Sequence, residues 1–302
     1  MAKTETTTKL LARFGRLNSQ RVNWENHWQE VADYMMPRKA NITKRRTRGD
    51  KRNELIFDSS PLQALELLAA SLHGMMTNPS TPWFTLKFKD AQMDQNDEAK
   101  LWLESVTADM YTAFNRSNFQ QEIFELYHDL ITFGTAAMYI EEDDEDLLKF
   151  STKHIAEIFI AEDDKGRIDT VYRKFNLSAR ALVQKFGNKV SQNIKVMSEK
   201  DPYQDVDILH CVYPRADFNP KLKDQENMPF ESVYLEMGSG DELSVSGFKE
   251  FPYVVPRYLK ASHEIYGRSP AMTALPDVKM LNEMSKTTIK AAQKQVDPPL
   301  LV

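Results

Sequence analysis

One cysteine, Cys211, among 302 residues removes two classes of architecture at once. No internal disulfide framework can form and no cysteine-rich zinc site can be built, so folding rests on packing, in keeping with assembly in a reducing compartment. Glycine is scarce too, at ten. None of the ten falls in a G-x-x-x-x-G-K-[ST] loop, the arrangement whose amides and lysine cradle nucleotide phosphates. Any nucleotide-driven motor that serves this chain therefore lies in another protein. Long apolar runs are missing as well: Leu130 to Ile140, the longest nearly uncharged stretch, falls far short of the ~20 residues of a membrane-spanning helix. The start, Met1-Ala2-Lys3-Thr4-Glu5-Thr6, has no apolar core, so neither export nor membrane anchoring is signalled. Nor is positive charge in excess, since 39 Lys+Arg against 44 Asp+Glu leave −5. That balance argues against a dedicated high-affinity DNA binder and leaves room for local or weak contact only.

Catalytic signatures are equally thin. The six histidines, His27, His73, His128, His154, His210 and His263, are scattered and form no H-x-x-x-H pair. There is no G-x-S-x-G elbow. Cys211 follows His210 in a strand-like run, where neighbours point to opposite faces, which disfavours a Cys–His pair. Glu141, Glu142, Asp143, Asp144, Glu145 and Asp146 could offer oxygen ligands, but the run has neither the spacing nor the turn glycine of a metal loop and reads as a solvated connection. Gly238-Ser239-Gly240-Asp241 reads as a hairpin turn rather than a phosphate site. No cofactor and no metal are expected, and the chain reads as non-enzymatic.

What is present is a folded, water-soluble composition with 41% hydrophobic, 10% aromatic and 27% charged residues. The fold class is α+β. Leu10, Leu11, Phe14, Leu17, Val22, Trp24, Trp28, Val31, Tyr34 and Met35 recur at helical spacing until Pro37, predicting one long or kinked helix pair. Ser59 or Ser60 before Pro61 reads as a helix start, with Leu62, Leu65, Leu68, Leu72 and Met76 on one buried face. A short strand over 83–88 precedes helices over about 97–115 and 118–133, the second closed by a left-handed Gly134. Beyond Gly134 the period becomes two, predicting an antiparallel meander with strands over 137–140, 149–160, 168–175, 207–213, 232–237 and 253–259 and a capped helix over 178–187.

Two basic features stand out. Between residues 38 and 52, Arg38, Lys39, Lys44, Arg45, Arg46, Arg48, Lys51 and Arg52 gather while apolar residues almost vanish, which makes this stretch an arm able to meet phosphates or an acidic protein, or simply a solvated loop. Near the end, Ser269 caps and Pro270 opens a helix that runs to Val296. Val278, Leu281, Ser285, Ile289, Ala292 and Val296 line one face of it, and Lys279, Lys286, Lys290 and Lys294 another. So thin an apolar stripe expects neighbouring helices, including helices of other subunits.

The block Pro252-Tyr253-Val254-Val255-Pro256-Arg257-Tyr258, then Glu264-Ile265-Tyr266-Gly267-Arg268-Ser269-Pro270-Ala271-Met272, a long helix with Leu281-Asn282, and Asp297-Pro298-Pro299 resembles the head-to-tail connector, or portal, family of T7-like short-tailed bacteriophages. Trp24-Glu25, Tyr34-Met35-Met36-Pro37-Arg38, Phe57-Asp58-Ser59-Ser60-Pro61, Leu72-His73-Gly74-Met75-Met76-Thr77-Asn78-Pro79 and Trp83-Phe84 follow that family's order. The resemblance marks Tyr266, Gly267, Ser269 and Pro270 as the motif before the stem helix. It implies a ring, usually dodecameric, at one capsid vertex, passing double-stranded DNA independently of sequence. The implied partners are the terminase motor, scaffold and capsid proteins, and tail adaptor and tail proteins, with no membrane. The location it implies is the virion, after assembly in the host cytoplasm. On this template residues 1–262 are wing (1–133 mainly helical, 134–262 mainly antiparallel β), 263–296 are linker and first stem helix, and 297–302 begin the clip of a longer protein. On physics alone, a monomeric nucleic-acid or scaffold-binding adaptor acting through the 38–52 arm, and less readily a metal-dependent nuclease built on 141–146, remain as alternatives.

Overall fold

A computed structural model describes residues 5–44, 49–90, 96–219, 221–222, 224 and 227–296. In chain order its helices are α1 (Glu5–Met35), α2 (Ser60–Met76), α3 (Asp97–Arg116), α4 (Phe119–Phe133), α5 (Ala179–Phe186), α6 (Gln192–Lys200) and α7 (Pro270–Val296). The strands are β1 (Ala137–Asp143), β2 (Leu147–Lys153), β3 (Ile158–Glu162), β4 (Ile168–Ser178), β5 (Asp205–Pro214), β6 (Phe230–Glu236), β7 (Glu242–Phe248) and β8 (Tyr253–Val254). The chain divides into two compact units, one of Met1–Glu25 and Ala156–Tyr253, the other of Asn26–Ile155 and Val254–Val302. The α+β class follows directly from these elements.

The first unit is built on the meander β3-β4-β5-β6-β7, each strand antiparallel to the next. Period-two alternation gives the sheet two apolar faces. Phe159, Tyr172, Leu209, Cys211, Val233 and Leu235 take the Leu10, Phe14 and Leu17 ridge of α1, whereas Ile208 and Tyr234 take α5 and α6 through Leu182 and Ile194. Ser178 starts α5 by accepting from the Ala181 amide at 3.4 Å. Helix α6 and strand β7 were not expected; the signals that could have found them are the Ser191 cap, which accepts from Ile194 N, and the alternation of Leu243 and Val245 after the Gly238–Asp241 turn. That turn is the β6–β7 hairpin, with Gly240 at φ +75°. One buried cation also went unforeseen. Arg21 of α1 is 1% exposed, lies 4.0 Å from the Phe159 ring, and donates to the carbonyls of Ala156 and Ile158 and to Glu25.

The second unit centres on α4, whose Phe119, Ile123, Leu126, Tyr127, Ile131 and Phe133 are buried. Gly134 closes it at φ +75°, the left-handed geometry that glycine adopts without steric cost. Asn118 binds the Phe150 backbone in both directions, at 2.8 and 2.9 Å, and so fastens α4 to β2. Strands β2, β1 and β8 form a small sheet.

Four expectations need correction. The run 149–160 is two strands in different sheets: a 3-10 turn at Ile155–Glu157 separates them, and buried Ile155 keeps the apolar alternation going through it. Residues 83–88 belong to no sheet. Helix α2 is not a buried helix, because Leu65 and Ala69 are covered while Leu68 is 37% and Met76 57% exposed. Of the expected last strand over 253–259, only Tyr253–Val254 is a strand, continued by isolated bridges Thr135–Arg257 and Leu259–Arg268.

Candidate functional site: the long C-terminal helix, its anchor and the basic segment

Ser269 starts α7 as an N-cap. Its Oγ accepts from Met272 N at 3.0 Å and donates to the Thr132 carbonyl at 2.8 Å, so one hydroxyl both begins α7 and ties it to the end of α4. Pro270 occupies the first turn, where no amide is missed. Gly267 lies backbone to backbone against Gly134: a Cβ on either glycine would overlap the other's carbonyl oxygen. Gly267 N donates to Thr135 Oγ1 at 2.8 Å, and Tyr258 N to the Gly134 carbonyl at 2.9 Å. The ring of Tyr266 meets Trp28 edge-on at 5.0 Å, and the Trp28 indole donates to the Phe133 carbonyl at 3.0 Å. The four motif residues thus form a knot fixing where α7 leaves the unit.

Past the knot, Leu275, Val278 and Asn282 face inward. Asn282 accepts from Phe57 N at 2.7 Å and donates to the Leu55 carbonyl at 2.8 Å, holding the lead-in to α2. From Thr287 onward every residue of α7 is exposed. Lys279 pairs with Glu30 and stands 5.8 Å from the Tyr34 ring. Lys286 pairs with Glu283 one turn away at 3.1 Å. Lys290 and Lys294 are exposed and have no ion-pair partner among the described residues. The stripe therefore splits into a docked base and a free end.

The basic segment is largely folded back. Gln29 staples it: Oε1 accepts from Ile42 N and Thr43 N, both at 2.9 Å, while Nε2 donates to Asp33 and to the Ala40 carbonyl. Lys39 reaches Glu125 and Asp129 of α4, each at 2.5 Å, and Arg38 lies 3.4 Å from Glu125. Lys44 pairs with Asp33 at 2.6 Å, and Arg52 donates to the Arg38 carbonyl. Lys51 is exposed. Arg45, Arg46 and Arg48 lie outside the described residues. Burial pushes the Asp129 carboxyl up to about 6 despite the nearby Lys39 ammonium. Burial acts the same way on Glu125, but Lys39 and Arg38 together hold it below the usual carboxylate range. His128 is held down chiefly by burial, against the pull of Glu66, whose Oε2 is 3.1 Å from its Nε2.

Residues 7–302 match the family model described as bacteriophage head to tail connecting protein. The chain belongs to that family. Two curated relatives extend the likeness: a probable portal protein of Bordetella phage BPP-1 is 34% identical over 305 aligned positions, covering 99% of this chain, and a portal protein of Salmonella phage epsilon15 is 34% identical over 307, covering all of it. The chain spans 55% of the length of each.

In this connector-family chain the acidic run does not converge on a point. Glu141 and Glu142 alternate along β1, and Asp143 Oδ2 accepts from Glu145 N and Asp146 N in a tight turn. His210 and Cys211 do point to opposite faces: His210 stacks on Tyr234 at 4.0 Å with Ser232 Oγ 2.9 Å from its Nε2, while Cys211 lies in the α1-facing core, its thiol pushed up by burial. Among the described residues no group of three His, Cys, Asp or Glu side chains is placed to hold a metal, and no helix is long and apolar enough to cross a membrane.

Proposed function

We propose that the chain is the N-terminal portion of a phage portal subunit, a non-enzymatic part of a ring, dodecameric by family resemblance, at one capsid vertex. The ring would admit the genome under the terminase motor and later release it through the tail, with scaffold, capsid and tail proteins as its partners. Residues to 262 then form the wing, 263–296 the linker and first stem helix, and the remainder, outside the described residues, the start of the clip. The observation that carries this reading is α7: knotted at its base by Gly267 and Ser269, exposed on every side over its last ten residues, and carrying Lys290 and Lys294 unpaired.

In a ring each such lysine is repeated around the axis, giving a band of positive charge that meets phosphates without reading bases. Isolated ammonium groups on a chain of net charge −5 give contacts weak enough for a duplex to slide. The basic segment lends less to an adaptor, since Arg38, Lys39, Lys44 and Arg52 are already engaged with the chain's own carboxylates and carbonyls.

Electron microscopy and native mass spectrometry of the full-length protein test the conduit. A ring whose opening admits duplex DNA supports it, and a uniform monomer refutes it. Replacing Lys286, Lys290 and Lys294 with glutamine should then change packaging or ejection rates at unchanged ring yield, and identical rates would remove these lysines from the channel or subunit seam.

A further inference from the structure

Residues 83–88 have the composition of a strand and no sheet to belong to. Phe84, Leu86 and Phe88 are half-buried while Thr85 and Lys87 are exposed, a period of two. Two ring contacts fix the rise. Phe84 stacks on Tyr111 at 4.5 Å and Phe88 on Trp102 at 6.3 Å. Nine helical residues separate Tyr111 from Trp102, about 13.5 Å, and four residues cover that distance only when extended, at about 3.3 Å each. The segment is thus an extended strand lying along α3. Its hydrogen bonds to α3 end at its first residues: the Tyr111 hydroxyl accepts from Trp83 N and Phe84 N, both at 2.7 Å, and donates to the Phe84 carbonyl. The amides and carbonyls of residues 85–88 have no hydrogen-bond partner among the described residues. Beside them Leu101 and Trp102 are 66% and 59% exposed. An open strand flanked by uncovered apolar residues is a template for another strand.

The other unit carries a matching open edge. Strand β7 ends the five-stranded sheet, and no described strand pairs its outer side. Set antiparallel with Lys87 opposite Ser244, the two sequences agree rung by rung: Leu86 meets Val245, Thr85 meets Ser246, and Phe84 covers Gly247. The ladder shift in β7 near Leu243 ends that match. Past it stand Asp241 and Glu242, without ion pairs among the described residues, at the end where Lys89 falls. Pairing the segment with its own copy would instead bring Lys87 and Lys89 toward their equivalents, which like charge opposes.

We propose that residues 84–88 of one copy add to β7 of the next copy, making an inter-subunit sheet. The pairing is heterologous, head to tail, the kind that closes a ring, and so it rests on the portal reading.

The test mixes two forms of the full-length protein, each with one added cysteine, Lys87→Cys and Ser244→Cys, under mild oxidation; native Cys211 is buried and serves as an inert background. Disulfide-linked dimers are expected in the mixture and in neither form alone. Lys87→Glu with Lys89→Glu should lower the ring fraction by roughly two- to tenfold, and Asp241→Lys with Glu242→Lys should restore it in the combined variant. Rings that form normally without the mixed cross-link overturn the strand pairing and leave the portal reading standing. Cross-links in the Lys87→Cys form alone overturn it in favour of self-pairing. A protein that never forms rings overturns the portal reading itself.

Discussion

Alanine at Gly134 should break the knot beneath α7. At φ +75° an L side chain costs roughly 1–2 kcal/mol. The added Cβ would also lie 2.7 Å from the carbonyl carbons of Gly267 and Arg268, where carbon contacts are comfortable only near ~3.5–4.0 Å. Relief needs a backbone shift of about 1 Å, and both partners are backbone, so no rotamer can absorb it. Two hydrogen bonds would be forfeited, Gly267 N to Thr135 Oγ1 and Tyr258 N to the Gly134 carbonyl, at about 1 kcal/mol each. Together these give about 3–4 kcal/mol, a large share of the ~5–15 kcal/mol that holds a typical domain. Urea unfolding followed by tryptophan fluorescence reads this well, because Trp28, Trp83 and Trp102 all lie in the affected unit. With a slope of ~1–3 kcal/mol per molar urea the midpoint should fall by at least about 1 M. Gly15→Ala is the control: inside α1 with nothing within 4 Å of the new methyl, it should gain roughly 0.5–1 kcal/mol. A Gly134→Ala protein within ~0.5 kcal/mol of the parent would refute the reasoning.

Ser269→Ala removes a cap and leaves the buried Thr132 carbonyl without its donor, so a loss of about 1–3 kcal/mol is expected in the same unfolding assay. Asp129 has a native pKa raised from 3.8 to about 6 by burial, so the native state holds its proton more tightly than the unfolded chain; the stability this lends is complete below about pH 4 and lost as pH rises through about 6. Asp129→Asn, neutral at every pH like the protonated acid, should therefore gain stability relative to the parent as pH rises from about 4 to 7; a difference that does not change with pH would contradict the assignment. Cys211, buried with its thiol pushed up, should resist iodoacetamide in native protein and react fully in urea, as mass spectrometry can score.

What could be read in advance was local. Caps at Ser178 and Ser269, the left-handed Gly134 and the Gly240 turn each follow from a few neighbouring residues, and all appear where expected. Readings that depend on distant partners fared worse. The periodicity of α2 reveals a stripe but not what lies over it, so Leu68 and Met76 were assigned a cover they lack. The basic segment shows its cations and hides their acids, since Glu125 and Asp129 come more than 80 residues after Arg38 and Lys39. Apolar Ile155 bridges two strands and erases the boundary between them. For the candidate site, the motif residues were visible by resemblance; their task of binding α7 to the end of α4 became visible only through the Gly134–Gly267 contact.

The two units are interleaved along the chain, and this sets an order on their birth at the ribosome. The leading helix segment, to Glu25, belongs with residues 156–253, so it must wait while some 130 intervening residues are made, on the order of ten seconds at roughly 5–20 residues per second. During that interval Leu10, Phe14 and Leu17 have no sheet to rest on, whereas the second unit cannot close until Gly267 and Ser269 emerge. Neither unit can therefore be expressed as one uninterrupted fragment, and a nascent chain stalled before residue 156 would present an uncovered apolar ridge to chaperones.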